Sequence, residues 1–157
     1  MDINVAKKTV AKLISYRSYT CKEIYRKLLA KGCEKEIAEQ TIEEFCSAGI
    51  LNDEEYAFCY IHDGLVIGLK GLFRLKQELL AKGVAASVIE RAAERVDIDT
   101  AEQLESYVQL KYGDKEFSDM REIEKAKMHL MRRGYGISEI NKCFKSLGIC
   151  AKRGDFD

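Results

Sequence analysis

Leu28-Leu29-Ala30-Lys31-Gly32 recurs as Leu79-Leu80-Ala81-Lys82-Gly83, and again as Leu130-Met131-Arg132-Arg133-Gly134. The glycines stand at 32, 83 and 134, one every 51 residues with no gap between copies. A basic residue precedes each glycine, and a leucine stands four places before it. This is how a helix ends: apolar residues on its inner face, a cation in its last turn, then a glycine free to adopt a left-handed conformation. The sequence therefore repeats a helical unit, and that repeat decides the fold.

The register holds away from the glycines. Ile24 and Leu75 coincide, with Ala126 in the third place; Ala38, Ile89 and Ile140 coincide, as do Phe45, Val96 and Leu147. Earlier in each copy, Val5 matches Tyr56 and Tyr107, and Val10 matches Ile61 and Tyr112. These are apolar positions at helical spacing. Each copy reads as three helices. In the first copy one helix runs from Asn4 to about Ser15. The next opens on the capping box Thr20-Cys21-Lys22-Glu23, carries Ile24, Leu28 and Leu29 on one stripe, and stops at Gly32. The third runs from about Glu34 to Gly49. Asn52-Asp53-Glu54-Glu55 caps the opening of the second copy, and Thr100-Ala101-Glu102-Gln103 reads as a capping box opening the third. The last helix is expected over about Ser138 to Leu147. The fold class is all-α: three tandem three-helix repeats, over 1–51, 52–102 and 103–150, stacked into an elongated, curved array. Residues 151–157 carry no periodicity and read as a mobile tail.

Composition agrees. Proline, which breaks helix interiors, is absent from all 157 residues, and 46% of them are apolar, enough to supply a core. Lysine plus arginine balance aspartate plus glutamate at 26 each, so bulk charge attracts neither nucleic acid nor an anionic membrane. The middle third is the acidic one. No secretory leader pattern opens the chain and no apolar run is long enough to span a bilayer, so a cytoplasmic protein without membrane contact is expected.

Chemistry-bearing constellations are weak. Cys21, Cys33, Cys46, Cys59, Cys143 and Cys150 show no C-x-x-C spacing, and His62 and His129 are far apart. They read as reduced, buried apolar groups, with no metal site and no disulfide framework. Gly64, Gly68 and Gly71 have neither P-loop nor dinucleotide spacing and read as a flexible helix connection. Most tyrosines fall on core-facing stripes. No catalytic residues and no cofactor are expected.

One longer succession is more specific. Ser18-Tyr19-Thr20-Cys21-Lys22-Glu23-Ile24-Tyr25-Arg26-Lys27-Leu28-Leu29-Ala30-Lys31-Gly32 is followed by Gly49-Ile50-Leu51-Asn52-Asp53-Glu54-Glu55-Tyr56-Ala57. Then comes Leu75-Lys76-Gln77-Glu78-Leu79-Leu80-Ala81-Lys82-Gly83-Val84, with Arg74 ahead of Glu78-Leu79. In order and spacing these resemble the RecX family, over roughly residues 5–148. The resemblance implies three tandem three-helix repeats. It also implies a modulator, in sense an inhibitor, that binds the RecA filament on single-stranded DNA and lowers its ATP hydrolysis and strand exchange. One departure stands out: family members carry arginine-rich sequence where this chain has Tyr60-Ile61-His62-Asp63-Gly64-Leu65-Val66-Ile67-Gly68, without an arginine. Direct DNA contact is accordingly expected to be weak, and the protein to be a monomer.

The expected partner-binding residues are Arg17, Lys22, Arg26 and Lys27 around the first capped helix, with Lys70 and Arg74 at the start of the second repeat's middle helix. Lys22 and Arg26, four apart, share a face, and Lys70 and Arg74 repeat that spacing. Two other functions fit the residues: a tandem helix-turn-helix DNA-binding regulator, and a helical-repeat scaffold for an unrelated protein.

Overall fold

The structure, a computed structural model, describes residues 1–151. The tail expected to be mobile lies, from residue 152 on, outside the described residues. Nine helices and no strand occur among the described residues: α1 (Ile3–Tyr16), α2 (Cys21–Ala30), α3 (Lys35–Ser47), α4 (Asp53–Val66), α5 (Leu72–Ala81), α6 (Ala86–Arg95), α7 (Thr100–Tyr112), α8 (Met120–Arg132) and α9 (Ile137–Ser146). The chain forms two compact units. One is Met1–Tyr60 with Glu78–Val96; the other is Ile61–Gln77 with the described residues from Asp97 to Ala151.

The repeated corner has one construction in all three copies. Gly32, Gly83 and Gly134 have φ of +88°, +90° and +102°. Each glycine N–H donates to a carbonyl three residues back: Leu29, Leu80 and Met131. The next N–H, of Cys33, Val84 and Tyr135, donates to the carbonyl of Leu28, Leu79 and Leu130 at 3.0–3.2 Å. This is a Schellman motif, and its usual apolar contact is present: Cys33, Val84, Tyr135 and the three leucines are all buried. Truncating any of those leucines to alanine would cost about 2–5 kcal/mol.

Each unit has its own apolar core. Ala6, Val10, Ile24, Leu28, Cys33, Ala38 and Leu51 make one. The other gathers Leu104, Val108, Phe117, Ile123, Ala126, Leu130, Tyr135, Ile140, Cys143 and Phe144. The aligned series Ile24, Leu75, Ala126 and Ala38, Ile89, Ile140 are all buried. Two expected core positions are not. Leu29 is 39% exposed, and so are its equivalents Leu80 (52%) and Met131 (48%), because the residue after an inward leucine is turned about 100° away on a helix. Val5 is also exposed.

Local details refine the reading. Thr20 and Glu23 form both halves of the expected capping box. Asn52 Oδ1 accepts from the Glu54 and Glu55 N–H groups, as a cap should. At α7 the cap is Asp99, whose carboxylate accepts from Glu102 N–H, and Thr100 is already helical; an aspartate directly ahead competes successfully for that position. α8 begins one turn earlier than the 51-residue register places it, capped by Asp119.

The glycines at 64 and 71 are not flexible links. Gly64 lies inside α4, where an added Cβ would come within 2.3 Å of a Leu75 methyl. A Cβ on Gly71 would lie 2.1 Å from the backbone of Gly134. Both are glycine because another segment occupies the Cβ space.

The register also fixes how one repeat meets the next. In the first unit the buried Thr20 hydroxyl donates to the Lys82 carbonyl at 2.7 Å, and the Lys22 stem lies against Gly83. In the second unit Gly71, which matches Thr20, donates its N–H to the Arg133 carbonyl at 2.7 Å. Phe73 N–H donates to the Gly134 carbonyl at 3.2 Å, and Arg74 Cβ lies against Gly134. The start of one middle helix thus seats the corner that ends the next.

Candidate partner-binding surface

α2 presents the clearest charged face. Its capping box fixes the first turn, and Ile24 and Leu28 turn inward, leaving Lys22, Arg26 and Leu29 in an outer row at i, i+4 and i+7. Lys22, Arg26 and Lys27 are exposed. Among the described residues the Arg26 side chain makes no hydrogen bond or ion pair. Arg17 is committed locally: it pairs with Glu23 at 3.0 Å and lies over the Tyr19 ring, 4.2 Å from its centroid. Lys27 approaches the same ring from 5.5 Å. Tyr19 therefore holds two cations beside α2.

The second expected pair separates. Lys70 precedes α5, which begins at Leu72, so Lys70 and Arg74 do not share a helix face. Arg74 is exposed, yet its guanidinium donates to the Arg132 carbonyl at 3.3 Å and its stem covers Gly134. Its role in the structure is to seat the α8 corner. The structure assembles Arg17, Lys22, Arg26 and Lys27 in the first unit; Lys70 and Arg74 belong to the second.

Two charged groupings were not anticipated. In the first unit Glu54 pairs with Arg91 and Arg95, both at 3.0 Å, and Arg95 also pairs with Glu55. The Arg91 hydrogen bond, followed by those of Arg95, holds the Glu54 carboxyl below its ordinary range. In the second unit His129 Nε2 lies 2.9 Å from the Tyr107 hydroxyl and 3.0 Å from Lys111 Nζ. The Lys111 ammonium can only donate, so this contact favours the neutral imidazole with Nε2 as acceptor. Desolvation, then Lys111, Arg133 and Arg132, pushes the His129 pKa down. Arg133 lies over the Tyr107 ring and donates to the Gly68 and Leu69 carbonyls. The sequence signal was the arginine pair in Arg132-Arg133-Gly134, where the other copies have Ala-Lys-Gly.

The cysteines divide differently from expectation. Cys33 and Cys143 are buried, Cys21 is half-buried, and Cys46, Cys59 and Cys150 are exposed. No grouping of three or more His, Cys, Asp or Glu able to hold a metal occurs among the described residues, and none of their helices is long and apolar enough to cross a membrane.

Nine helices among the described residues, three of which end in the same glycine corner at 51-residue spacing, define a tandem three-helix-repeat protein. Residues 6–45 match the family model of the RecX first three-helix domain, and residues 52–92 that of the RecX second three-helix domain. The chain is 30% identical over 138 residues to the regulatory protein RecX of Trichlorobacter lovleyi, covering 85% of this chain and 90% of that one. It is 28% identical to that of Pseudomonas fluorescens, covering 95% and 96%. Against the RecX of Streptococcus sanguinis, also 28% identical, it spans only 53% of the relative's length. The crystal structure of RecX from Lactobacillus salivarius superposes with a TM-score of 0.80 at 22% identity, covering 94% of this chain and 97% of that one, which establishes the shared fold. The chain belongs to the RecX family.

Proposed function

We propose that this chain is a non-enzymatic regulator of the RecA recombinase, acting in the cytoplasm as a monomer. In this reading it binds the RecA filament on single-stranded DNA and lowers its ATP hydrolysis and strand exchange. The observation that carries the reading is the similarity, over 85% of this chain and 90% of the relative, to the regulatory protein RecX of Trichlorobacter lovleyi. The contact surface is the outer row of α2, Lys22 and Arg26 with Leu29 beyond them, flanked by Lys27 and Arg17. A RecA–DNA filament offers phosphate and carboxylate acceptors, which arginine forks engage well. Lys70 and Arg74 contribute less, because Arg74 is engaged with the α8 corner. Direct DNA binding is weak, since the stretch from Tyr60 to Gly68 lacks arginine.

The test is inhibition of RecA's single-stranded-DNA-dependent ATP hydrolysis at two salt concentrations. The parent should inhibit, and more strongly at low salt. Each exposed charge contributes only about 0–1 kcal/mol, so the informative variant is the double Lys22→Glu/Arg26→Glu, which replaces attraction by repulsion. A parent without effect on ATP hydrolysis would refute the function. A folded double variant that inhibits like the parent would place the contact elsewhere.

A further inference from the structure

Two of the six cysteines meet. The Sγ atoms of Cys21 and Cys46 lie 3.2 Å apart, although 25 residues separate them in sequence. Cys21 is the first residue of α2, directly after the Thr20 cap; Cys46 is in the last turn of α3. The two helices belong to one repeat and pack against a common core. The remaining thiols are placed otherwise. Cys33 turns its Sγ to the Glu34 carbonyl at 3.5 Å, and Cys143 is buried. The Cys21–Cys46 contact is about 1.2 Å longer than a disulfide bond, so closing it requires small side-chain rotations rather than movement of a helix. The pair is also reachable, because Cys46 is exposed.

We propose that Cys21 and Cys46 are a modification site: a dithiol that is oxidised by a small-molecule disulfide to an intramolecular disulfide tying α2 to α3. This inference does not rest on the RecA reading. With oxidised glutathione as oxidant, the chemistry proceeds in two exchanges. The Cys46 thiolate attacks one glutathione sulfur; the glutathione S–S bond breaks, and one glutathione leaves as a thiolate that takes a proton from water. Cys21 then gives its proton to solvent and attacks Cys46 Sγ, and the second glutathione leaves. Two protein thiols have been oxidised to one disulfide, and one glutathione disulfide reduced to two thiols. The environment sets the order. Burial, the Cys46 contact and the Asp53 carboxylate hold the Cys21 thiol well above its ordinary pKa, so Cys21 is a poor first nucleophile. Asp53 also accepts the Cys21 N–H at 2.9 Å, which fixes the residue in place for the second exchange. The new bond would anchor the start of α2 beside Thr20, Lys22 and Arg26.

The experiment uses the full chain, incubated with oxidised glutathione at mildly alkaline pH, then alkylated and digested without reduction. Peptide mass spectrometry should find the Cys21 peptide joined to the Cys46 peptide as the main product at these positions. The thermal midpoint should rise by several degrees, and dithiothreitol should reverse both changes. In Cys21→Ser, Cys46 should stop at the glutathione adduct. In Cys46→Ser, whose altered side chain is exposed and leaves the fold intact, Cys21 should stay a free thiol. A parent in which Cys46 accumulates as the glutathione adduct, or in which Cys21 and Cys46 join other cysteines instead, would overturn the proposal.

Discussion

Two places in this molecule do the same job with different chemistry. Where α5 ends on the start of α2, the attachment is one side-chain hydrogen bond, Thr20 to the Lys82 carbonyl, with the Lys22 stem over Gly83. Where α8 ends on the start of α5, main chain meets main chain: Gly71 and Phe73 N–H groups donate to the Arg133 and Gly134 carbonyls. Arg133 then reaches over to the Gly68 and Leu69 carbonyls and Arg74 to that of Arg132. The same 51-residue register places both. A threonine holds the incoming corner one side chain away; a glycine lets it close to the backbone. The three corner glycines become progressively covered as a result. Gly32 is exposed, Gly83 is half-buried and Gly134 is buried.

The comparison can be broken most directly at the second junction. Gly71→Ala should cost more than about 3 kcal/mol, since the new Cβ meets the backbone of Gly134 and Tyr135, which cannot rotate away. For a chain of this size that is a thermal midpoint lower by roughly 6–12 °C. The same substitution at the register-equivalent corners should give an order. Gly134→Ala should be worst, because its Cβ would meet the Arg74 backbone and the Gly71 carbonyl. Gly83→Ala should be intermediate, because Lys22 can partly yield. Gly32→Ala should cost only the left-handed strain, about 1–2 kcal/mol, because nothing lies within 4 Å. Equal losses at all three would show that the corners matter only for backbone conformation.

At the first junction Thr20→Val should cost about 2–3 kcal/mol: it removes the α2 cap and leaves the half-buried Lys82 carbonyl without its donor. Thr20→Ser keeps both bonds and should stay within about 1 kcal/mol of the parent, read by urea unfolding. A valine variant as stable as the parent would remove the hydroxyl from the account.

The smallest effect expected is at His129. Its folded pKa is depressed, so the unfolded chain binds the proton more readily. The associated stability is fully present above the ordinary imidazole value of about 6.5 and is lost as the pH falls from there through the depressed folded value. The thermal midpoint should fall by a degree or two more between pH 7.5 and 5.5 in the parent than in His129→Gln. Identical slopes would show that Lys111, Arg132 and Arg133 do not disfavour the imidazolium.

The corners and the capping box were legible because they depend on local rules: glycine at a left-handed position, threonine and glutamate three apart. The apolar register at Leu28, Leu79 and Leu130 was legible for the same reason. The junctions were not, because they are made by Gly71 N–H, Lys82 C=O and Arg133 C=O, groups every residue has. Glycine also serves two ends that sequence cannot separate, conformational freedom and a missing Cβ; Gly64 and Gly71 looked like the first and are the second. Of the candidate surface, the Lys22–Arg26 row was legible from its spacing. Lys70 and Arg74 were misread as its copy because α5 begins only at Leu72. Cys21 and Cys46 stand on different helices, and only the folded chain brings them together.

The most direct measurement of the central claim is co-sedimentation with RecA filaments assembled on single-stranded DNA at low salt. The parent should pellet with the filaments, and should do so less as salt rises. The Lys22→Glu/Arg26→Glu variant, unchanged in thermal midpoint, should remain in the supernatant. A parent that stays in the supernatant at low salt, with both proteins at micromolar concentration, would contradict the account.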